Sequence, residues 1–167
     1  MKGWIILVLV LVLLGVGYFV FAPGPETIVD EDSPLKNIDD AGFEAAVNLV
    51  KDEVKVLDEE MDEAAELISM GDFMESAHHV EGKALLIEED GKKIVRFEDF
   101  DTINGPALYI YLSSDLGDDD FVNLGEIKAT SGNVNYEVPE GVDTEKYNNV
   151  LVWCEPFSVL FSYAELK

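Results

Sequence analysis

The chain combines 167 residues, 48% of them hydrophobic, with 35 acidic and only 11 basic side chains, for a formal net charge of −24. A soluble domain of this acidity is normally less apolar, which indicates that the apolar residues are concentrated in one segment. Nucleic acid binding is excluded as a main role, because a phosphate backbone would be repelled and the sequence contains no cluster of basic residues.

The apolar segment covers residues 4–22, which read WIILVLVLVLLGVGYFVFA. At about 1.5 Å per residue, a helix of this length reaches roughly the 30 Å core of a bilayer. We therefore predict a transmembrane anchor over residues 1–22, with the lipid bilayer as its partner. Lys2 is the only charge before the span, so the positive-inside rule predicts a single-pass cell-membrane protein with a cytoplasmic N-terminus and an extracytoplasmic C-terminal domain. A signal peptide cleaved near Ala22 is the alternative.

Two acidic segments follow the predicted span. Residues 23–38 mix three prolines and a glycine with acidic residues, which is typical of a linker. Residues 39–71 are predicted to form an acidic amphipathic helix that begins at an aspartate N-cap and ends at Gly71. Its apolar residues recur at heptad spacing, which predicts a homo-oligomer through residues 43–68 or, alternatively, packing on the following domain. These residues are Phe43, Val47, Val50, Val54, Leu57, Met61, Ala64 and Ile68.

Residues 72–167 change to short apolar runs separated by turns. Asp90-Gly91 separates two of these runs and predicts a tight hairpin. Strands are predicted at 80–88, 93–97, 107–113, 121–127, 135–138, 150–154 and 158–164. Short strands at this spacing predict a mainly β domain, an antiparallel β-sandwich or small barrel, preceded by the transmembrane helix and the amphipathic helix.

Several motifs of this domain occur in a recognisable order. They are RFEDF at 96–100, NGP at 104–106 before LYIYL, FVNLG at 121–125, GN and NY at 132–136, and VWC with PFSVLF at 152–161. Together they resemble the DM-thirteen domain, an electron-transfer domain often found beside haem-binding DOMON and cytochrome modules. The resemblance implies an extracytoplasmic β-rich domain, membrane redox proteins as partners, and one characteristic cysteine. That cysteine falls on Cys154, as a naked thiol or as a ligand to a prosthetic group.

Cys154 is the only cysteine of the chain, so it cannot close an intrachain disulfide. Within its predicted strand, Val150, Val152 and Cys154 alternate onto one face, which would make the cysteine a small core residue. A reactive thiol needs cationic or metal neighbours, and none is near it in sequence. Both interpretations, core residue and redox group, stay open.

The resemblance also places the histidine of the family at His79, beside His78. Histidine and cysteine suit haem iron, copper or zinc by ligand type, so Cys154 and His79 are the candidate redox or ligand residues and haem or copper the candidate cofactors. The sequence lacks a C-x-x-C motif and a second cysteine, so the alternative is a surface pair of histidines.

Two further groups of polar residues need interpretation. The first could line a pocket near Cys154, although asparagine and glycine near strand ends usually form turns; its members are Asn104, Gly105, Pro106, Asn133, Asn135 and Tyr136. The second is an acidic cluster at Asp118, Asp119 and Asp120, whose oxygen ligands suit calcium. It lacks the EF-hand pattern, so a solvated loop is the alternative.

No nucleophile elbow, phosphate-binding loop or catalytic histidine motif occurs, which speaks against an enzyme. The sequence therefore predicts a membrane-anchored extracytoplasmic domain of electron-transfer type. A non-catalytic cell-surface interaction or assembly module is the alternative.

Overall fold

The computed structural model describes residues 40–167. The predicted span and linker, residues 1–22 and 23–38, lie outside the described residues. Within 40–167, no helix has both the length and the apolar character that crossing a bilayer requires.

Helix α1 (Asp40–Val50) opens this part of the chain, with Asp40 in its first turn. Phe43 and Val47, one helical turn apart, are buried and dock the helix onto the β domain. Burying two such side chains stabilises the docked helix by about 1.5–3 kcal/mol each. The helix closes with a hydrogen bond from Lys51 N to Val47 O of 2.9 Å.

The predicted helix over residues 39–71 is wrong beyond Val50. The chain after it is extended, because Lys55 N and O bond to Thr130, and the following residues pair with a neighbouring strand. Val54 and Ile68, two members of the heptad pattern, are 69% and 47% exposed, so no continuous apolar seam forms. Pairing with the rest of the sheet overrides the helical spacing.

In the described part of the chain, nine strands form one sheet. Their order is β1-β7-β4-β3-β2-β9-β8-β5-β6, antiparallel throughout except for the parallel β1–β7 pair. The strands are β1 (Val56–Asp58), β2 (Glu66–Glu75), β3 (Val80–Glu89), β4 (Lys92–Thr102), β5 (Leu108–Ser113), β6 (Phe121–Glu126), β7 (Ser131–Glu137), β8 (Asn149–Cys154) and β9 (Val159–Glu165). The mainly β prediction is confirmed, with all predicted strands present and β1 and β2 in addition.

The sheet is one curled mixed sheet, a half-barrel, whereas an antiparallel β-sandwich or small barrel was predicted. Residues 127–130 join β6, at one edge of the sheet, to β7, which lies next to the strand at the other edge. Each residue spans at most about 3.6 Å, so this short connection cannot cross a flat sheet. The sheet must therefore curl to bring these strands close. The corner lies in β2, which pairs with β3 up to Asp72 and with β9 from Phe73. A Cβ on Gly71 would lie 2.1 Å from Glu165 O, so only glycine allows this crossing.

The hairpin between β3 and β4 turns at Asp90 and Gly91, with φ values of 51° and 77°. Two consecutive residues with positive φ are what the predicted tight turn requires. The curled sheet encloses the main core, and β8 contributes Val150, Val152 and Cys154 to it. Leu151 and Trp153 point to the opposite face, where they pack with Tyr111. The alternation predicted for this strand is confirmed, and it places the cysteine inside the half-barrel.

Candidate functional site

Cys154 ends strand β8 with its side chain fully buried. Its Sγ lies 3.1 Å from the carbonyl oxygen of Pro106 and donates a hydrogen bond to it. Burial raises the pKa of the Cys154 thiol to about 12, and a hydrogen bond from the Phe157 backbone opposes this only in part. The side chain is therefore a protonated thiol at neutral pH, and the prediction of a small core residue describes its resting position.

The loop that covers Cys154 connects β4 to β5. Asn104 in this loop is 5% exposed, and Ala107 adopts a left-handed φ of 46°. Gly105 lies against the Phe161 ring, because an added Cβ would stand 2.9 Å from Cε2 of that ring. The loop thus packs tightly on the core, and its Pro106 carbonyl points at the thiol.

His78 lies on the inner side of the chain, between two aromatic rings. Its ring centroid is 5.5 Å from that of Phe43 in helix α1 and 4.3 Å from that of Phe161 in β9. The Nε2 atom is buried without a hydrogen-bond partner, and its nearest carboxylate is Glu44 Oε1 at 3.9 Å. Burial lowers the pKa of His78, and the charge of Glu44 opposes this shift.

His79 points to solvent instead. Its Nδ1 bonds to Glu75, its Nε2 lies 3.4 Å from Glu81 Oε1, and its side chain is 63% exposed. The hydrogen bonds to these two glutamates raise the pKa of His79. The structure therefore does not bring His79 to Cys154. Both histidines precede β3, so the alternation of a strand could not have separated them in the sequence.

The predicted pocket residues of β7 belong to a different region, around Arg96 of β4. The Arg96 Nη1 atom donates to Asn135 Oδ1 and to Glu59 O, each at 2.9 Å. The backbone N of Asn135 donates to Glu59 Oε2 at 2.6 Å, and its Nδ2 to Glu60 O at 3.2 Å. We call Arg96, Asn135 and these partners the Arg96 network, which fastens the segment after β1 to the sheet.

Asn133 and Tyr136 are likewise engaged in structural bonds. Asn133 accepts from Asp99 N at 3.0 Å and donates to Asp58 Oδ1 at 2.7 Å. The Tyr136 hydroxyl accepts from Lys128 N at 3.1 Å, and burial raises the pKa of this phenol to about 12. These side chains hold strands in register, and none of their polar groups faces Cys154.

The other predicted pocket residues do line a cavity, of about 200 Å³, beside the loop over Cys154. We call it the Asn104 cavity. Its lining is Val50, Glu53, Lys55, Asn104, Gly105, Pro106, Ala107, Leu108, Glu126 and Ile127. The residues from Val50 to Lys55 were missed because the sequence pattern assigned them to a long helix. Another cavity, of about 320 Å³, lies near the β3–β4 turn and contains none of the predicted site residues.

The acidic loop after β5 is held by other charges. Asp120 accepts from Lys146 Nζ and from the Tyr147 hydroxyl, each at 2.8 Å, and these bonds lower the pKa of its carboxyl. Asp118 and Asp119 are exposed. Among residues 40–167, no three histidine, cysteine or acidic side chains converge in a way that could hold a metal ion.

The positions of Cys154 and His79 do not fit a haem or copper site built from these two residues. Direct ligation brings both side chains within about 2.0–2.3 Å of one metal ion. Cys154 is fully buried with its sulfur bonded to Pro106 O, whereas His79 lies at the surface between two glutamates. The site around Cys154 therefore comprises a buried protonated thiol, a tight loop and an adjacent cavity.

Comparison with known proteins adds the family. No curated protein and no solved structure matches the chain. The sequence model of the family described as Electron transfer DM13 matches residues 72–166, more than half of the chain, and this stretch carries Cys154 and its covering loop. The chain therefore belongs to the DM13 electron-transfer family.

Proposed function

We propose that this protein is an electron-transfer module in which Cys154 is the group that is oxidised and reduced. The observation that supports it is the position of the only cysteine in the chain. It lies within the family domain, fully buried, with its S–H group bonded to one carbonyl oxygen. A purely structural cysteine needs no such directed bond, because free cysteine packs as a small apolar residue.

The Cys154 thiol pKa of about 12 determines which redox reaction this side chain can undergo at neutral pH. Nucleophilic exchange with a disulfide needs the thiolate, which is scarce at neutral pH for such a group. In the proposed step, Cys154 loses an electron and its S–H proton together and becomes a thiyl radical. The electron passes to an oxidised one-electron partner protein of the membrane and the proton to water. The reverse transfer restores the thiol.

A redox titration of the full chain in mild detergent tests this proposal. Wild-type protein should consume the strong one-electron oxidant hexachloroiridate(IV) in an amount that Cys154→Ser protein does not, because the hydroxyl of serine keeps the hydrogen bond to Pro106 O without the redox chemistry. Equal melting temperatures of the two proteins would show that the fold is kept. Equal consumption by both proteins would refute a redox role for Cys154.

We further propose that the module is anchored in the cell membrane by residues 4–22, with residues 40–167 outside the cytoplasm. The support is the uncharged apolar segment after Lys2 and the acidic sequence that follows it. Protease added to intact cells should degrade the C-terminal domain and leave a membrane-bound fragment. Protection of that domain until the cells are lysed would contradict this orientation.

Exposed apolar side chains favour a second candidate, a surface interaction module that could also form a homo-oligomer. Most of them occur between the end of α1 and the end of β2: Leu49, Val54, Val56, Met61, Leu67, Ile68, Met70 and Met74. Apolar surface of this kind commonly marks protein interfaces. Sedimentation should then show an oligomer that dissociates when Leu67 and Met74 become serine. A monomer at every concentration would exclude the homo-oligomer.

A further inference from the structure

The Asn104 side chain is a buried amide without a partner. It is 5% exposed and makes no hydrogen bond with the described residues, whereas Asn133 and Asn135 use both ends of their amides. The Asn104 amide atoms are not fully enclosed, unlike the unpartnered His78 Nε2 and Ser162 Oγ, so they reach the accessible space beside the residue. Because Asn104 lines the cavity of about 200 Å³, its donor and acceptor can be satisfied by a molecule held there.

Two opposite charges line the same cavity. Lys55 and Glu53 make no ion pair with the described residues, although Lys128 and Lys146 are both paired with carboxylates. Both side chains are exposed, so their charges are available to a ligand at the mouth of the cavity. The lining therefore includes a lysine and a glutamate without an ion pair and an asparagine whose amide makes no hydrogen bond within residues 40–167.

The other residues of the lining and the cavity volume determine the apolar part and the size of a ligand. Val50 and Ile127 supply apolar surface, and the volume of about 200 Å³ limits the ligand to a small molecule. A purely anionic ligand would be repelled by the charge of the protein, and a purely cationic one would leave Lys55 unpaired. A molecule that carries both charges and a short apolar part satisfies every group.

We propose that the Asn104 cavity binds a small zwitterion of the α-amino acid class. The ligand carboxylate pairs with Lys55, its ammonium pairs with Glu53, the Asn104 amide bonds to the polar end, and the apolar side chain packs on Val50 and Ile127. Pro106 lines the cavity and also accepts the Cys154 S–H bond, so the ligand lies against the loop that covers the thiol. Binding needs no redox activity of Cys154, so either proposal can fail alone.

Isothermal titration of the full chain in mild detergent tests this site with three probes of similar size. L-valine carries both charges, isobutylamine lacks the carboxylate, and isovalerate lacks the ammonium. Valine should bind with a saturable isotherm, and each analogue at least about tenfold more weakly, because each loses one charge-assisted interaction. Absence of saturable valine binding, or equal binding of valine and isobutylamine, would overturn the proposal.

Exposed lysines supply matched variants. Lys55→Gln should weaken valine binding about tenfold and remove the preference for valine over isobutylamine. Lys51→Gln, which changes a lysine outside the lining, should bind valine like the wild type. Because both side chains are exposed, neither change threatens the fold. Valine binding that Lys55→Gln leaves intact, or that both variants weaken equally, would show that the charges of this cavity do not select the ligand.

Discussion

The Arg96 network and the Asn104 cavity each contain an asparagine, and the two asparagines differ in their hydrogen bonds. Asn135 donates and accepts hydrogen bonds on one side of the sheet, whereas the more deeply buried Asn104 has no partner among the described residues. A side chain whose bonds are complete stabilises the fold. A side chain whose amide makes no bond within the protein and reaches a cavity can bond to a ligand instead. The difference separates the structural asparagines from the candidate binding residue.

The largest expected effect is the loss of Arg96. Arg96→Met leaves the acceptors of Glu59 and Asn135 without their donor, and removes a guanidinium that is only 5% exposed. We expect the free energy of unfolding to fall by about 3 kcal/mol, as for other broken buried charge interactions. Urea denaturation measures it. Lys92→Met, at an exposed ion pair with Glu137, is the control and should unfold almost like the wild type. Equal effects of both changes would mean that the network is not structural.

Replacing Asn135 by leucine should have the next largest effect. The change removes the acceptor of Arg96 and the donor to Glu60 O, so about 2 kcal/mol of stability should be lost. The same urea experiment gives the value. A stability equal to the wild type would show that this asparagine does not fasten the segment after β1.

The same substitution in the Asn104 cavity should have little effect on stability. Asn104→Leu replaces an amide that makes no hydrogen bond within residues 40–167 and that reaches the cavity. We expect the free energy of unfolding to change by less than about 0.5 kcal/mol, while binding of L-valine is lost. A loss of stability as large as that of Asn135→Leu would abolish the contrast between the two regions.

The two adjacent histidines should give the smallest effects, with opposite dependence on pH. The pKa of His78 is lowered from 6.5 by burial, so the unfolded chain binds the proton more readily and wild-type stability falls, relative to His78→Phe, as the pH drops below 6.5. The pKa of His79 is raised by Glu75 and Glu81, so its stabilisation is complete below 6.5 and is lost as the pH rises through the raised value.

Thermal unfolding of wild type, His78→Phe and His79→Asn between about pH 5 and 8 separates these two contributions. Parallel profiles for the two variants would contradict the inward position of one ring and the outward position of the other.

The sequence predicted the strands from Val80 onward well, because alternation and turn residues such as Asp90-Gly91 are local signals. It failed between Val50 and Glu75, where heptad spacing suggested a helix but the pairing of β1 with β7 and of β2 with β3 and β9 decides the structure. Cys154 was found from its family motif and its alternation. The lack of a hydrogen-bond partner for Asn104 among the described residues could not be predicted, because a sequence does not show whether the hydrogen bonds of an asparagine are complete.

Cys154 lies under the loop between β4 and β5 as a buried, protonated thiol. Its alkylation rate tests this burial and protonation most directly. The folded full chain should react with iodoacetamide at least about a hundredfold more slowly than the urea-unfolded chain, and the rate should keep rising with pH well above the ordinary thiol pKa of 9.0. A folded-state rate equal to that of the unfolded chain, with a midpoint near pH 9.0, would contradict a buried thiol bonded to Pro106.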